Sequence, residues 1–370
     1  MIKEAIGKLV AKENLTEDEV REAMTEVVTR KASSAQIASF LTALRMKGET
    51  IEEITAAANV IRERSLRLPL GEEAICLDRE EITLERETIM RTAKADSGET
   101  TIFNISTATA FVVAGGGVKV TKYVRRPEPP LCGCANVIEA LGIDLDLTPS
   151  QIERCFETLG ICFFHDGLVH KGMDHLLVLR KRIGIRTLFN LLDPLVNPGG
   201  ATLQILGVYD PHLTETMARV LLRLGIRRGL VVYGRDTLDE ISLTGETRVT
   251  ELNDKGIHTS TIRPEDFGLQ RRSIEEIKGG TQEENARIIL RVLKGEKGGA
   301  RDIVLLNAAA AFYLAGRARD LREGIEMAGR SIDSGEALRT LERLIQFTHE
   351  EDRFVRREWT AGEGGSPLFD

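Results

Sequence analysis

Hydrophobic and polar positions alternate through the first 68 residues with the period of amphipathic helices. Three helix starts follow one another there, and each has a Ser or Thr with a Glu or Gln three residues later, the spacing of a capping box. These starts are Thr16 with Glu19, Ser33 with Gln36, and Thr50 with Glu53. The pattern predicts a small helical domain over residues 1–68, and we expect part of 160–190 to join it.

In the C-terminal half the pattern changes to short apolar runs that alternate with amphipathic segments. The runs 203–208 and 229–233 predict strands, and 214–224 between them predicts a helix. The segments 247–252 and 256–262 predict a hairpin. Strands that alternate with helices favour an α/β domain whose sheet is mostly parallel and carries helices on both faces.

The expected fold class is therefore α/β, with the small N-terminal helical domain followed by a large α/β domain over residues 69–348. The sheet of the large domain is expected to be mostly parallel and flanked by helices. Residues 349–370 are charged, contain the single Trp359 and show no clear periodicity. We interpret them as a C-terminal tail.

The middle of the chain contains a candidate anion site. Asn104, Ser106 and Thr107 precede the apolar run 108–114, which predicts the N-terminus of a helix capped by Ser or Thr. Free N–H groups and the helix dipole favour anions at such an end. An alternating run then predicts a strand with basic side chains near its end, namely Lys122, Arg125 and Arg126. Together these features indicate a site that binds phosphate.

Charge and composition narrow the classes of partner. The chain has 50 Lys and Arg against 57 Asp and Glu, a net charge of −7, which argues against nucleic acid or an anionic membrane as the main partner. No apolar stretch is long enough to span a bilayer, and the N-terminus is charged and amphipathic rather than typical of a signal peptide. The expected compartment is the cytoplasm.

Two adjacent carboxylates, Asp239 and Glu240, follow one of the predicted strands. Such a pair suits Mg²⁺, a hard cation that keeps several waters and shares the phosphate oxygens of a substrate. A solvated acidic turn is the alternative for a pair that stands alone. The choice between them depends on what surrounds the pair in the sequence.

On these stretches the chain resembles the anthranilate phosphoribosyltransferase family. The resemblance is carried by FNISTATAFVVAGGGVKV, by SSAQIASFLTALRMKGETIEEI in the helical domain and by the sequence LDEISLTG around the carboxylates, and it extends in order over residues 1–345. It implies an enzyme that transfers a phosphoribosyl group from phosphoribosyl pyrophosphate to an aromatic small molecule, which is anthranilate in tryptophan biosynthesis. It also implies Mg²⁺ as the cofactor and a homodimer formed through the N-terminal helical domain.

The resemblance assigns roles to single residues. Asn104, Ser106 and Thr107 match an element that contacts phosphate and metal, so the implied metal ligands are Asp239, Glu240 and Ser106. Two candidate catalytic residues are Lys122, which opens the substrate motif, and Arg180, which matches an arginine that binds the carboxylate of anthranilate. The further candidate substrate-binding residues are Arg125, Arg126 and His170.

The chain departs from the family where the substrate is expected to bind. The family's glycine loop GTGGD is replaced by residues 94–98, KADSG, and its motif KHGNR by 122–126, KYVRR. Two serines after that motif are Pro129 and Pro130 here, and Asp193 stands in place of the glycine in the family's GPL sequence. A side chain with a Cβ removes the close backbone approach that glycine allows, and proline offers neither a hydroxyl nor an N–H.

Two interpretations fit these departures. In the first, the chain is a phosphoribosyltransferase with a rebuilt substrate site, in which Arg125 and Arg126 bind phosphate through their side chains. In the second, it is a non-catalytic binding or regulatory protein that reuses the fold. The retained carboxylate pair, Ser106, Lys122 and Arg180 favour the first interpretation, and the loss of the glycine loop and of the two serines favours the second. An enzyme is the function that we expect.

Overall fold

The computed structural model describes residues 1–68, 70, 74–79, 102–124, 133–169, 173–236 and 239–362. Its N-terminal part consists of α1 (Ile2–Val10), α2 (Glu17–Val28), α3 (Ser34–Lys47) and α4 (Ile51–Arg64). All three expected capping boxes are present at the starts of α2, α3 and α4. The apolar faces of the four helices are buried in one core, in which α1 packs on α3 and α2 packs on α4.

Part of the segment 160–190 packs on these helices. The two helices α9 (Asp174–Ile183) and α10 (Leu188–Leu192) both contact α3. The imidazole of His175 lies with Nε2 3.0 Å from the carbonyl oxygen of Val27. Arg30 also donates from Nε to Nδ1 of His175 at 3.2 Å. These contacts place part of the segment against the helical domain, while its membership of that domain and the boundary at residue 68 stay predictions.

The described strands form one seven-stranded sheet in the order β3-β2-β1-β4-β5-β6-β7. The first five strands are parallel, and the last two are antiparallel and form the expected hairpin. The fold class is therefore confirmed. The strands are β1 (Ile75–Arg79), β2 (Val120–Val124), β3 (Ile161–His165), β4 (Leu203–Gly207), β5 (Arg228–Gly234), β6 (Thr247–Asn253) and β7 (Gly256–Ile262).

Helices cover both faces of this sheet. Ile75 and Leu77 of β1 lie in one buried cluster and Cys76 between them lies in the other, because successive side chains of a strand point to opposite faces. The remaining helices are α5 (Ile105–Gly115), α6 (Cys134–Ala140), α7 (Pro149–Leu159), α8 (Asp166–Val169), α11 (Leu213–Arg223), α12 (Gln282–Leu293), α13 (Gly299–Leu314), α14 (Leu321–Asp333) and α15 (Glu336–Gly362), with 3₁₀ helices over Asp193–Leu195, Pro264–Phe267 and Ile274–Ile277.

The central helix α5 is enclosed by its neighbours. Nine of its eleven residues, Ile105 to Val113, are buried, and it packs on α13 and α15. At its C-terminal end a Cβ added to Gly115 would lie 2.6 Å from the backbone nitrogen of Ala337 on α15, so only glycine allows this approach. The close packing fixes the position of the helix N-terminus.

The last described helix extends into the segment that was interpreted as a C-terminal tail, and the boundary of that tail stays a prediction. Helix α15 runs from Glu336 to Gly362 and passes through residue 349, at which the tail was expected to begin. Its apolar face is anchored by buried Leu341 and Leu344, and a helix once nucleated propagates at little cost. His349 continues the contact, with Nε2 2.9 Å from the carbonyl oxygen of Gly142. Among the helices that the structure describes, none is both long enough and apolar enough to cross a membrane.

Candidate active site

The N-terminus of α5 lies at the carboxyl edge of the parallel strands. This helix connects two parallel strands, β1 and β2, so it runs antiparallel to them and begins where β1 ends. The chain proceeds outward from β1 to β2 and β3, and then returns to β4 on the other side of β1. The ends of β1 and β4 thus form a topological switch point, where ligands bind in open α/β sheets.

The capping of α5 differs from the expectation. The N-cap residue is Asn104 rather than a Ser or Thr, and its side chain makes no capping bond. Its Oδ1 accepts a hydrogen bond from Nδ2 of Asn285 at 3.2 Å, and its Nδ2 donates to Sγ of Cys134 at 3.3 Å. The Asn104 side chain is therefore held away from the helix N–H groups by two neighbouring helices. Tertiary contacts have overridden the local capping preference.

Ser106 and Thr107, in the first turn of α5, bury hydroxyl groups for which the described part of the chain offers no hydrogen-bond partner. Both side chains are buried, and neither hydroxyl oxygen has a partner among the described residues. Buried polar atoms are normally hydrogen-bonded, and a missing partner costs about 1–3 kcal/mol. These hydroxyls lie at the positive end of the helix dipole, so an anion is the ligand that satisfies them.

Lys122 places a buried positive charge on β2. Only 2% of it is exposed, and its Nζ donates a long hydrogen bond of 3.5 Å to the carbonyl oxygen of Leu77 on the neighbouring β1. In the described part of the chain it has no carboxylate partner. A buried ammonium group without an anion is unfavourable, so this position also suits a negatively charged ligand.

Asp239 and Glu240 follow β5 on a loop that its neighbours hold firmly. Asn307 of α13 accepts the N–H of Ile241 at 3.1 Å and donates to its carbonyl oxygen at 3.0 Å. The hydroxyl of Ser242 donates to Oδ2 of Asp236 at 2.7 Å. These bonds fix the loop immediately after the two carboxylates.

The end of β4 touches the same loop. A Cβ added to Gly207 would lie 1.8 Å from the carbonyl oxygen of Asp239, so the glycine is required for this approach. Gly207 is in register with Arg79 at the end of β1. The carboxylate pair is therefore placed beside the switch point, at the edge of the sheet where α5 begins.

This carboxylate pair fits Mg²⁺. Glu240 is buried, whereas Asp239 is partly exposed and forms no hydrogen bond or ion pair with another described residue. The described residues contain no group of three or more His, Cys, Asp or Glu side chains that could enclose a metal ion. Mg²⁺ does not need such a group, since it binds through one or two carboxylates together with substrate phosphates and water. The assignment of Asp239, Glu240 and Ser106 as its ligands stays a prediction.

Arg180 lies apart from these groups, on α9. Its Nη1 is 2.5 Å from Oδ2 of Asp193, and no hydrogen bond or ion pair between described residues joins it to α5 or to the carboxylate pair. The loop after Asp193 does reach the sheet, because a Cβ added to Gly199 would lie 3.3 Å from Cγ2 of Thr121. Thr121 and Lys122 are consecutive on β2, so the loop contacts the face of the sheet opposite to the one that carries the Lys122 side chain.

Several residues of the expected site lie outside the described residues. They are Arg125, Arg126 and His170, together with the segment 94–98 that stands in place of the family's glycine loop. Their roles stay predictions. The described part of the site consists of the α5 N-terminus, Lys122, the carboxylate pair and Arg180.

Two positioning residues were missed by the sequence analysis. Asn285 is buried on α12 and holds both Asn104 and the N–H of Gly280, at 3.2 and 2.8 Å. Asn307 is buried in the alanine-rich α13 and holds Ile241. The available signal was an amide on the otherwise apolar face of a predicted helix, since such a group is buried only when it has partners.

Two family models match the chain. One is described as the helical bundle domain of the glycosyl transferase family and matches residues 3–65. The other is described as the a/b domain of the same family and matches residues 97–338. The two matches fall on the helical N-terminal part and on the α/β part of the fold.

Individual proteins of known sequence match nearly the whole chain. The anthranilate phosphoribosyltransferase of Geotalea uraniireducens (strain Rf4) is 48% identical over 350 residues, which cover 95% of this chain and 100% of that protein. The anthranilate phosphoribosyltransferase of Symbiobacterium thermophilum is 49% identical over 348 residues, which cover 94% and 98%.

Two solved structures also resemble the fold of this chain over nearly its whole length. The anthranilate phosphoribosyltransferase of Thermus thermophilus matches with a TM-score of 0.82 at 38% identity, covering 93% of this chain and 99% of that one. The enzyme from Saccharomyces cerevisiae, in complex with PRPP and Mg, matches with a TM-score of 0.81 at 26% identity, covering 94% and 98%. The chain therefore belongs to the anthranilate phosphoribosyltransferase family.

Proposed function

We propose that the chain is a cytoplasmic enzyme that transfers a phosphoribosyl group from phosphoribosyl pyrophosphate to an aromatic acceptor. The observation that carries this function is the anion site, in which the buried hydroxyls of Ser106 and Thr107 lack hydrogen-bond partners and the buried ammonium group of Lys122 lacks a carboxylate partner among the described residues. The four described cysteines, Cys76, Cys134, Cys155 and Cys162, are free thiols, which suits a reducing compartment.

The residues at the sheet edge would bind the phosphoribosyl donor. The first turn of α5 holds phosphate oxygens through its hydroxyls and N–H groups, and Lys122 provides a fixed positive charge beside them. Asp239 and Glu240 would hold Mg²⁺, and the bound ion would supply positive charge beside the pyrophosphate. As pyrophosphate leaves, the ribose carbon becomes positive, and the fixed charges of the site stabilise this separation.

Arg180 would orient the acceptor. The acceptor nitrogen forms a bond to the anomeric carbon of the ribose while the bond from that carbon to pyrophosphate breaks. A guanidinium group held by α9 can fix the acceptor's orientation for this attack. The alternative function, a non-catalytic binding protein, has no support among the relatives, since those that cover the chain are named as enzymes.

Calorimetry with phosphoribosyl pyrophosphate and Mg²⁺ tests the proposed function. The wild-type chain is expected to bind the donor, and Ser106→Ala is expected to weaken binding about 10- to 100-fold, because one hydrogen bond to a charged phosphate is lost. The same variant should not lower the melting temperature, since the hydroxyl has no partner among the described residues.

The matched control is Ser34→Ala on the exposed first turn of α3, which should leave donor binding unchanged. If the wild-type chain shows no heat of binding at millimolar donor, the proposed function is wrong. If Ser106→Ala and the control bind equally well, the anion site lies elsewhere.

We further propose that the chain forms a homodimer through its helical domain. Met46 and Val10 are 81% and 72% exposed, more than any other large apolar side chain that the structure describes, and both belong to this domain. Exposed apolar side chains of this kind are typical of protein interfaces. Met46→Glu is therefore expected to convert a dimer into a monomer, measured as the mass in light scattering after gel filtration.

Leu222 provides the control for this test. It is an exposed apolar residue on α11, outside the helical domain, and Leu222→Glu should leave the mass unchanged. A wild-type chain that is monomeric at micromolar concentration would contradict the proposed dimer.

A further inference from the structure

Arg180 and Asp193 form an ion pair inside the protein. Nη1 of Arg180 lies 2.5 Å from Oδ2 of Asp193, and the two side chains are only 12% and 18% exposed. Because both are largely removed from water, salt screens their attraction weakly. The positive charge of Arg180 is therefore already balanced by a carboxylate of this chain.

The backbone around Asp193 is fixed by buried donors. Asp193 opens the 3₁₀ helix that ends at Leu195. The buried side chain of Gln204 donates from Nε2 to the carbonyl oxygen of Pro194 at 2.7 Å, and Arg62 donates from Nε to that of Leu195 at 2.5 Å. These bonds fix the backbone that carries the Asp193 carboxylate beside Arg180.

A ligand that approaches Arg180 with a carboxylate of its own meets two obstacles. It must share one guanidinium group with Asp193, and it is repelled by the carboxylate that is already there. A ligand without a negative charge meets neither obstacle. The ion pair thus discriminates by charge, because a like charge placed beside a fixed one is disfavoured.

We propose that Asp193 determines the acceptor specificity of the enzyme, an inference that rests on the proposed function. Its carboxylate occupies Arg180 in place of an acceptor carboxylate, so the site selects an aromatic amine whose ring carries no carboxylate. In the transfer the amine nitrogen forms a bond to the anomeric carbon of the ribose. The bond from that carbon to pyrophosphate breaks, pyrophosphate leaves with the electron pair, and the amine releases a proton to solvent.

Two acceptors that differ only in this charge provide the test. Anthranilate and its uncharged amide, 2-aminobenzamide, are titrated by calorimetry into the full chain, with and without phosphoribosyl pyrophosphate and Mg²⁺. The wild-type chain is expected to bind 2-aminobenzamide about 10-fold or more tightly than anthranilate, because only anthranilate is repelled by Asp193. Asp193→Asn is expected to strengthen anthranilate binding about 10-fold or more, and to change 2-aminobenzamide binding less than about threefold.

Two further variants keep the test decisive. Asp193→Gly removes the side chain altogether and should shift the preference in the same direction as Asp193→Asn. Glu215→Gln breaks the exposed ion pair with Arg219 on α11, at 2.7 Å, and should leave the preference unchanged. A merely structural role of Asp193 would lower the melting temperature without changing the ratio of the two affinities.

The inference is wrong if the wild-type chain prefers anthranilate, if the Asp193 variants leave the ratio unchanged, or if neither compound binds. Failure of the proposed function gives a different result. In that case phosphoribosyl pyrophosphate does not bind, while the titrations without the donor still report the preference at Arg180.

Discussion

Replacing both Asp239 and Glu240 with alanine is expected to lower kcat/KM for phosphoribosyl transfer by about 1000-fold or more. The loop that carries them is fixed by Asn307 and Ser242, so water cannot simply take the place of two positioned carboxylates. Without them the charge of the departing pyrophosphate is left unneutralised. Pyrophosphate release at saturating Mg²⁺ measures the rate, and calorimetry at several Mg²⁺ concentrations measures the metal dependence of donor binding.

The matched control is Asp254→Ala, which removes an exposed carboxylate from the turn between β6 and β7. It should change neither the rate nor the metal dependence. Should the double variant bind the donor with unchanged affinity and unchanged dependence on Mg²⁺, Asp239 and Glu240 do not belong to the site. If the double variant loses donor binding and activity and also has a lowered melting temperature, the cause is a folding defect. Circular dichroism detects such a defect separately.

Glu53→Ala is expected to destabilise the helical domain by about 3–5 kcal/mol, because it leaves a buried partner charge uncompensated. Glu53 is fully buried and accepts hydrogen bonds from Nζ of Lys47 at 2.9 Å and from the backbone N–H of Leu15 and Thr50 at 2.9 and 2.8 Å. Lys47 itself is only 4% exposed. Urea denaturation followed by circular dichroism measures the free energy of unfolding.

Two further variants test whether the loss of stability in Glu53→Ala comes from the buried charge of Lys47. Glu63→Ala breaks the exposed pair with Arg21, at 2.8 Å, and should cost less than about 1 kcal/mol. Adding Lys47→Met to Glu53→Ala should restore part of the stability, because it removes the buried charge that has lost its partner. If Glu53→Ala costs no more than Glu63→Ala, the buried network does not stabilise the domain.

Glu53 also illustrates how local and tertiary information combine. The sequence predicts it as the third residue of a capping box, and its bond to the N–H of Thr50 confirms this local role. Its contacts with Leu15 and Lys47 were not predictable, because they join segments 38 and six residues apart in the sequence. The same carboxylate thus caps a helix and links three parts of the domain.

The candidate site also combines features that the sequence predicts with contacts that only the structure shows. The adjacent carboxylates and the polar residues at the start of α5 could be identified from residue types and their order in the chain. The bonds that hold Asn104 to Asn285 and Ile241 to Asn307 could not, since they connect residues 181 and 66 positions apart. The ion pair of Arg180 with Asp193 was not expected either, although both residues had been noted individually.

The sequence by itself determined the class of fold, the helix starts, the hairpin and the family resemblance, because periodicity, capping and motif order are local properties. Only the tertiary structure decided that Asn104 caps α5 without using its side chain, that α15 continues past residue 349, and that Asp193 neutralises Arg180. Each of these depends on a contact between distant segments. Burial then decides which polar groups keep a partner and which are left for a ligand.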